Sequence, residues 1–186
     1  MGGYPRNIKY FHDLKKKYKC YLIEDSCHAF GSKYQIGKKQ FYIGSCKHSD
    51  ISTFSFHPLK TITTGEGGAI TTNNKMLNDR ILKFRSHGFI KKKNYWNYDL
   101  DFSGYNFRLS DINCALGISQ FAKIEKFLRQ RKKIFQYYFK KLNNYKNIVN
   151  LILPEIYTFP SYHLVIVQIN FKKLKIDKEI FLKKLI

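Results

Sequence analysis

Apolar positions near the N-terminal end predict a helix followed by a buried strand. Residues 7–18 carry apolar side chains at helical spacing. They are Ile8, Phe11, Leu14 and Tyr18. Residues 20–23 then form an apolar run of strand length, which ends at Glu24 and Asp25. This alternation predicts an α/β fold with a mainly parallel sheet and flanking helices, in which ligands bind beyond the carboxyl ends of the strands.

Glycine and proline divide the next part of the chain into short strands. Gly31 and Gly37 predict a loop or hairpin. Residues 49–56 and 67–72 read as two strands, and Pro58 ends the first of them because proline cannot donate a ladder hydrogen bond. Lys60 is therefore expected on a turn between two strands.

The second half of the chain is predicted to be mainly helical. Asn74 can cap a helix that ends near residue 87, and a helix from residues 110–111 is expected to extend to about residue 143. The stretch 91–101 reads as a surface loop, and 161–170 reads as a strand. A helix of that length usually joins two domains, so we place a domain boundary within it.

Composition favours a globular cytoplasmic protein with no membrane span. Hydrophobic residues make up 44% of the 186 residues, no apolar run approaches the ~18 residues of a transmembrane helix, and the first residues contain no apolar signal region. The four cysteines are expected as reduced thiols. A zinc site built from Cys20, Cys27, Cys46 and His48 is a weak alternative, because the spacings match no structural zinc pattern.

A net charge of +21 raises the alternative of a basic binding protein. The lysines, however, are scattered along the chain, and the aromatic residues follow core periodicity instead of alternating with lysines as a stacking platform would. Solvated helix faces account for most of these charges. Nucleic acid is therefore not an expected partner.

Three segments carry the residue types of a pyridoxal phosphate pocket. Asp25 ends an apolar strand, Ser55 precedes Lys60 by five positions, and residues 64–68 form a glycine-rich turn. A lysine amine can bond to the cofactor, a carboxylate can hold the pyridine nitrogen protonated, and a serine hydroxyl suits its phosphate.

These segments resemble the DegT/DnrJ/StrS family of sugar aminotransferases. Further agreement lies in residues 28–31, 85–88, 104–109 and 161–164. Within the family, the chain looks most like the UDP-4-amino-4,6-dideoxy-N-acetyl-β-L-altrosamine transaminases. The resemblance implies the central part of a fold-type I aminotransferase, with an incomplete cofactor-binding large domain over 1–125, then a bridging helix and the start of a small α+β C-terminal domain over 126–186. It also implies that one phosphate-binding loop and a ring-stacking aromatic belong to an upstream segment outside this sequence.

The resemblance also implies a role for each candidate residue. Lys60 would be the catalytic lysine that bonds to pyridoxal 5'-phosphate, Asp25, His28, Ser55 and Asn106 would bind the cofactor, and Arg108 would bind substrate. Asn106 and Arg108 would reach from one subunit of a homodimer into the pocket of the other. Without the resemblance, the same residues read as a surface lysine, a strand-end aspartate, a core histidine, a buried serine and a loop Asn and Arg. The roles of His57 and His163 stay open.

Two functional hypotheses follow. The first is transamination of a UDP-linked keto-deoxy sugar, with glutamate as donor, by a truncated or split enzyme, and whether this chain works without the missing parts stays open. The second is an inactive fragment or a non-catalytic basic binding protein.

Overall fold

The computed structural model describes residues 1–91 and 96–185. In this part of the chain, no helix combines the length and the apolar character that a membrane crossing requires. The first half contains two helices with five short strands between them, so the structure combines helices and sheet, in agreement with the predicted α/β class.

Two of the helices confirm the predictions for residues 7–18 and for the segment that begins at Asn74. The helices are α1 (Ile8–Tyr18), α2 (Lys75–Arg85), α3 (Asp111–Phe121), α4 (Ile124–Leu142), α5 (Phe171–Leu174) and α6 (Lys178–Lys183), with a 3-10 turn at Asn143–Tyr145. Asn74 caps α2 as expected, because its side chain accepts a hydrogen bond from the Leu77 N–H at 3.2 Å.

The strands are short and belong to four small sheets in the described residues. They are β1 (Ile23–Asp25), β2 (Lys33–Ile36), β3 (Lys39–Tyr42), β4 (Ile51–Ser55), β5 (Gly68–Thr71), β6 (Phe89–Lys91), β7 (Tyr98–Leu100), β8 (Val149–Leu151), β9 (Thr158–Phe159) and β10 (Val167–Ile169). The sheet orders are β1-β4-β5, β3-β2-β9, β10-β8 and β6-β7.

The sheet β1-β4-β5 carries the candidate chemistry. β1 and β4 are parallel with Asp25 opposite Thr53, whereas β4 and β5 are antiparallel with Ser55 opposite Gly68. Parallel pairing does not predominate as expected: in the part of the chain that the structure describes, only β1 and β4 pair in parallel. The connection from β4 to β5 contains no helix of the kind that usually forms a crossover, and the chain returns antiparallel.

The core lies between this sheet and the hairpin of β2 and β3, which forms around Gly37 as predicted. Tyr34, Ile43 and Phe54 are its buried centre. The partly buried side chains packed around them are Ile8, Ala29, Phe30, Ile36, Phe41, Phe56 and Ala69. A smaller aromatic cluster joins Phe135 of α4 to Tyr4 and Tyr162.

The prediction of a single long helix from residue 110 is wrong, because α3 ends at Phe121 and α4 begins at Ile124. The two helices pack on different parts of the protein: Gly117 of α3 lies against the Thr64 methyl group, and Phe135 of α4 stacks on Tyr162. The spacing of apolar residues predicts which face of a helix is buried. It does not predict whether successive turns of that face pack against different parts of the protein.

Three predicted strand and loop boundaries are corrected by hydrogen bonding. The first strand occupies Ile23–Asp25 instead of 20–23, and the strand expected over 161–170 is confined to Val167–Ile169. Before β10, the backbone N–H groups of Ser161 and Leu164 instead donate hydrogen bonds to the carbonyls of Gly3 and Gly2. The loop predicted over 91–101 contains the end of the β6–β7 hairpin, while residues 92–95 of that prediction lie outside the described residues.

Candidate functional site

The candidate active site lies where β1 and β4 end. Asp25 is the last residue of β1 and Ser55 is the last residue of β4, so both lie at one edge of the sheet. The chain then turns through Lys60 before it enters β5. This arrangement is the one predicted from the strand and proline pattern, and it places three candidate residues at the edge where parallel strands bind ligands.

Asp25 presents an exposed carboxylate. Its Oδ1 accepts the backbone N–H of Cys27 at 3.1 Å. The pKa of Asp25 is lowered first by a hydrogen bond from the Cys27 side chain, then by that backbone N–H, and further by the positive fields of His28 and Lys60. Asp25 is therefore ionised at neutral pH and free to pair with a cationic ligand group.

Two backbone hydrogen bonds of Phe56 close the loop that carries Lys60. The Phe56 N–H donates to the Gly67 carbonyl at 2.8 Å, and its own carbonyl accepts from the Thr64 N–H at 3.0 Å. Within this loop, the Lys60 N–H donates to the His57 carbonyl at 2.9 Å. The backbone at Lys60 is thus fixed relative to the end of β4.

The charge of Lys60 acts on the other groups of the site. It lowers the pKa of Asp25, of His28 and of His163, in each case after larger contributions from hydrogen bonds or burial. An ammonium group has this effect on groups near it, because its field falls off with distance and is screened by solvent. The shared site of Lys60, Asp25 and His28 stays a prediction, which these shifts favour.

His163 packs against His28 in the same region. The two ring centroids are 4.4 Å apart with the planes inclined by 52°. The Gly2 N–H donates to Nδ1 of His28 at 3.2 Å, and Nη1 of Arg131 donates to the His163 carbonyl at 3.1 Å. Burial lowers the pKa of His163 to about 4, and the positive fields of His28, Arg131 and Lys60 act in the same direction. His163 is consequently neutral at physiological pH.

A pair of buried serines holds His28 in place. The Ser161 hydroxyl donates to the His28 carbonyl at 2.9 Å, and the backbone N–H of Ser161 donates to Oγ of Ser32 at 2.9 Å. The Ser32 hydroxyl in turn donates to the Gly3 carbonyl at 2.9 Å. Sequence reasoning missed this network, because small polar residues in irregular segments show no periodic pattern.

Ser55 is partly buried and its Oγ accepts a long hydrogen bond of 3.5 Å from the His57 N–H. Asn106 and Arg108 are exposed. Arg108 lines a depression of about 550 Å³ that also contains His87 and Phe89 but none of Asp25, Ser55 or Lys60. The structure therefore places Asp25 and Ser55 at one end of the sheet and Arg108 at a separate depression.

A cavity of about 610 Å³ lies beside Asp25, Cys27 and His28, and the segment from Met1 to Arg6 lines its other side. This volume falls within the range of small-molecule sites. Asp25 lines this cavity and exposes its carboxylate, whereas Lys60 and Ser55 are not among the lining residues. Nδ1 of His163, whose ring packs against His28, is buried without a hydrogen-bond partner among the described residues. By their chemistry, the amine of Lys60, the carboxylate of Asp25 and the hydroxyl of Ser55 are groups that suit pyridoxal phosphate.

The cysteines lie apart in the described residues, and none forms a disulfide. Cys20 is exposed, whereas Cys46 is buried with its thiol donating to the Thr71 carbonyl at 3.2 Å. Residues 1–91 and 96–185 contain no group of three or more His, Cys, Asp or Glu arranged to hold a metal ion.

Comparison with known proteins identifies relatives along the whole chain. The model of the DegT/DnrJ/EryC1/StrS aminotransferase family matches residues 1–185. A UDP-4-amino-4,6-dideoxy-N-acetyl-β-L-altrosamine transaminase from Campylobacter jejuni is 42% identical over 174 residues, which are 88% of this chain and 44% of the relative. A GDP-perosamine synthase from Escherichia coli O157:H7 is 41% identical over 144 residues, covering 77% of this chain and 37% of the relative.

Solved structures agree with the sequence relatives. The Helicobacter pylori PseC structure, an aminotransferase involved in the biosynthesis of pseudoaminic acid, superposes with a TM-score of 0.88 at 32% identity. The match covers 99% of this chain and 47% of PseC. The predicted fold class is thereby confirmed, and the chain spans about half the length of the curated relatives that it matches.

Proposed function

Because the chain belongs to the DegT/DnrJ/EryC1/StrS aminotransferase family, we propose that it forms part of a pyridoxal phosphate-dependent transaminase that acts on a nucleotide-linked keto-deoxy sugar. The observation that carries the proposal is the position of Lys60 on the turn after β4, next to β1, whose last residue Asp25 is exposed and has a lowered pKa. The names of the relatives support a nucleotide-linked amino sugar as product, and the 42% identical Campylobacter jejuni relative is named for a UDP-linked sugar.

Each residue has a distinct task in this proposal. Pyridoxal phosphate, when bound, supplies an electron sink that lowers the barrier to removing the α-proton of an amino acid. Asp25 would keep a proton on the ring nitrogen, since its low pKa keeps it anionic. Lys60 would bond to the cofactor aldehyde through Nζ and, once released, carry a proton between carbon atoms.

The remaining candidates would bind and orient. Ser55 would donate its hydroxyl to the cofactor phosphate, and His28, which the Ser161 hydroxyl holds by its carbonyl, would lie beside the ring. Arg108 suits a diphosphate because its planar donors match phosphate oxygens. Glutamate is the amino donor that the family resemblance implies.

Asn106 and Arg108 fit the proposal as residues supplied by a second subunit. Apolar side chains around them are exposed, with Ile112 at 82%, Ile118 at 72% and Phe107 at 63%. Such a cluster favours burial against another chain. We therefore expect a homodimer, and the substitution of Ile112 and Ile118 by Asp should shift sedimentation towards monomer, whereas Lys75→Asp on α2 should not.

We expect the reaction to take place in the cytoplasm. The free thiols of Cys20, Cys27, Cys46 and Cys114 support a reducing compartment. The relatives are about twice as long as this chain. We therefore expect activity only when this chain is combined with a polypeptide that corresponds to the unmatched part of the relatives.

Covalent labelling tests the proposed site directly. The chain is incubated with pyridoxal phosphate, reduced with borohydride and digested, and mass spectrometry locates the phosphopyridoxyl group. We expect preferential labelling of Lys60 and its loss in Lys60→Ala, with Lys75→Ala as a control at an exposed lysine in an ion pair. Uniform labelling of exposed lysines, also after the remaining part of a relative is added, would overturn the proposal.

A further inference from the structure

His57 forms the turn that carries Lys60, and its role is not accounted for by the site described above. The His57 carbonyl accepts the Lys60 N–H at 2.9 Å, which closes a four-residue turn with Pro58 at its second position. Leu59 does not adopt a positive φ, so the turn is of type I. In such a turn the N–H of the third residue has no partner within the backbone of the turn.

The ring of His57 supplies that partner. Its Nδ1 accepts the Leu59 N–H at 3.2 Å, as an Asn or Asp side chain does in the first position of a turn. An N–H can donate to Nδ1 only if this atom carries a lone pair, so the proton of the neutral ring lies on Nε2. Nε2 faces Oε1 of Glu66 at 3.9 Å, where a proton is favourably placed.

Packing does little to hold the tip of this turn. Pro58 is exposed and the Leu59 side chain is 75% exposed. Hydrogen bonds therefore determine the backbone conformation just before Lys60, and His57 takes part in three of them: its carbonyl with Lys60, its ring with Leu59, and its N–H with Ser55.

We propose that His57 is a positioning residue for Lys60, which holds the lysine-bearing turn through an Nδ1 acceptor and an Nε2–H tautomer. It acts through the backbone and touches neither cofactor nor substrate. This inference rests on the proposed function only in that the turn is said to position Lys60 for the cofactor. The tautomer and the turn itself can be measured without cofactor.

The first experiment reads the tautomer and the turn in the full chain. Nitrogen-15 NMR of labelled histidine should show His57 protonated at Nε2 and not at Nδ1. Hydrogen exchange of the Leu59 amide should accelerate about fivefold in His57→Phe, which removes one hydrogen bond. His57→Asn should restore protection, because its side-chain oxygen can accept the same N–H. Glu66→Gln, which keeps the acceptor on His57, should leave the exchange of Leu59 unchanged.

The second experiment connects the turn to Lys60. The rate of borohydride-fixed labelling of Lys60 by pyridoxal phosphate should fall about fivefold in His57→Phe and stay within about twofold of wild type in His57→Asn. A proton on Nδ1, or equal Leu59 exchange in wild type and His57→Phe, would overturn the proposal. Unchanged labelling in His57→Phe would do the same. If wild-type Lys60 is not labelled even after the remaining part of a relative is added, the proposed function fails, while the tautomer and the exchange still decide the role of His57.

Discussion

The imidazole rings of His28 and His163 lie 4.4 Å apart although they come from opposite ends of the chain. His28 follows the first strand, and His163 precedes the last one. Their contact joins the segment after β1 to the segment before β10, next to Lys60. The energetics of the candidate site therefore depend on residues that are remote in sequence.

Stability should fall in mild acid because of His163. Its pKa in the folded chain is about 4, below the ~6.5 of an unfolded histidine, so the unfolded chain binds more protons between these values. The stabilising effect of the neutral ring is complete above about pH 6.5 and is lost as the pH falls towards about 4. Urea unfolding at several pH values should show this decline.

The variant His163→Phe should reduce the slope of unfolding free energy against pH in that window. The slope that remains would report His28 and His48, whose pKa values are also lowered by burial. Identical slopes in wild type and variant would show that His163 titrates alike in both states.

A methyl group at Gly3 should disrupt the site by collision. A Cβ there would lie within van der Waals radii of the Ser161 hydroxyl and 2.6 Å from the His28 carbonyl. Gly3→Ala should lower the free energy of unfolding by about 3 kcal/mol or more. The matched control is Gly37→Ala, where φ is also positive at +61° but no atom lies within 4 Å, so only about 1 kcal/mol should be lost. Equal losses would mean that backbone conformation alone sets the cost.

Removal of the Ser161 hydroxyl should destabilise the chain near His28. The His28 carbonyl would lose its partner from Ser161, and an unsatisfied buried acceptor costs about 1–3 kcal/mol. Thermal or urea unfolding of Ser161→Ala measures this loss. Ser119→Ala on the exposed surface of α3 is the control, and a similarly small effect in both variants would contradict the proposed importance of the serine pair.

The variant Asp25→Asn should separate charge from structure. Its side-chain oxygen can still accept the Cys27 N–H, so unfolding should change little. Labelling of Lys60 by pyridoxal phosphate should slow about tenfold, because a hydrogen bond to a charged partner is lost. Asp13→Asn removes an exposed carboxylate paired with Lys9 and should have no such effect. Unaltered labelling in Asp25→Asn would argue against a role in cofactor binding.

Arg108 should contribute to binding of a nucleotide diphosphate. Calorimetry with UDP should show about tenfold weaker binding by Arg108→Ala and a smaller dependence on salt, since a charged contact to phosphate is removed. Arg80→Ala is a matched control at an exposed arginine on α2. If both variants weaken UDP binding alike, general positive charge and not Arg108 attracts the ligand.

The local amino-acid pattern by itself determined α1, the cap of α2, the β2–β3 hairpin and the strand, proline and glycine order that puts Lys60 on a turn beside Asp25. Those features follow from interactions between near neighbours, such as the bond from Leu77 to the Asn74 side chain. Only the tertiary structure decided that the helix after residue 110 breaks before Ile124, that most strand pairs of the described residues are antiparallel, and that Ser161 and His163 contact His28. The reason is that a break between two helices and a contact between distant loops depend on which surfaces meet in space, and residue spacing along the chain carries no record of those partners.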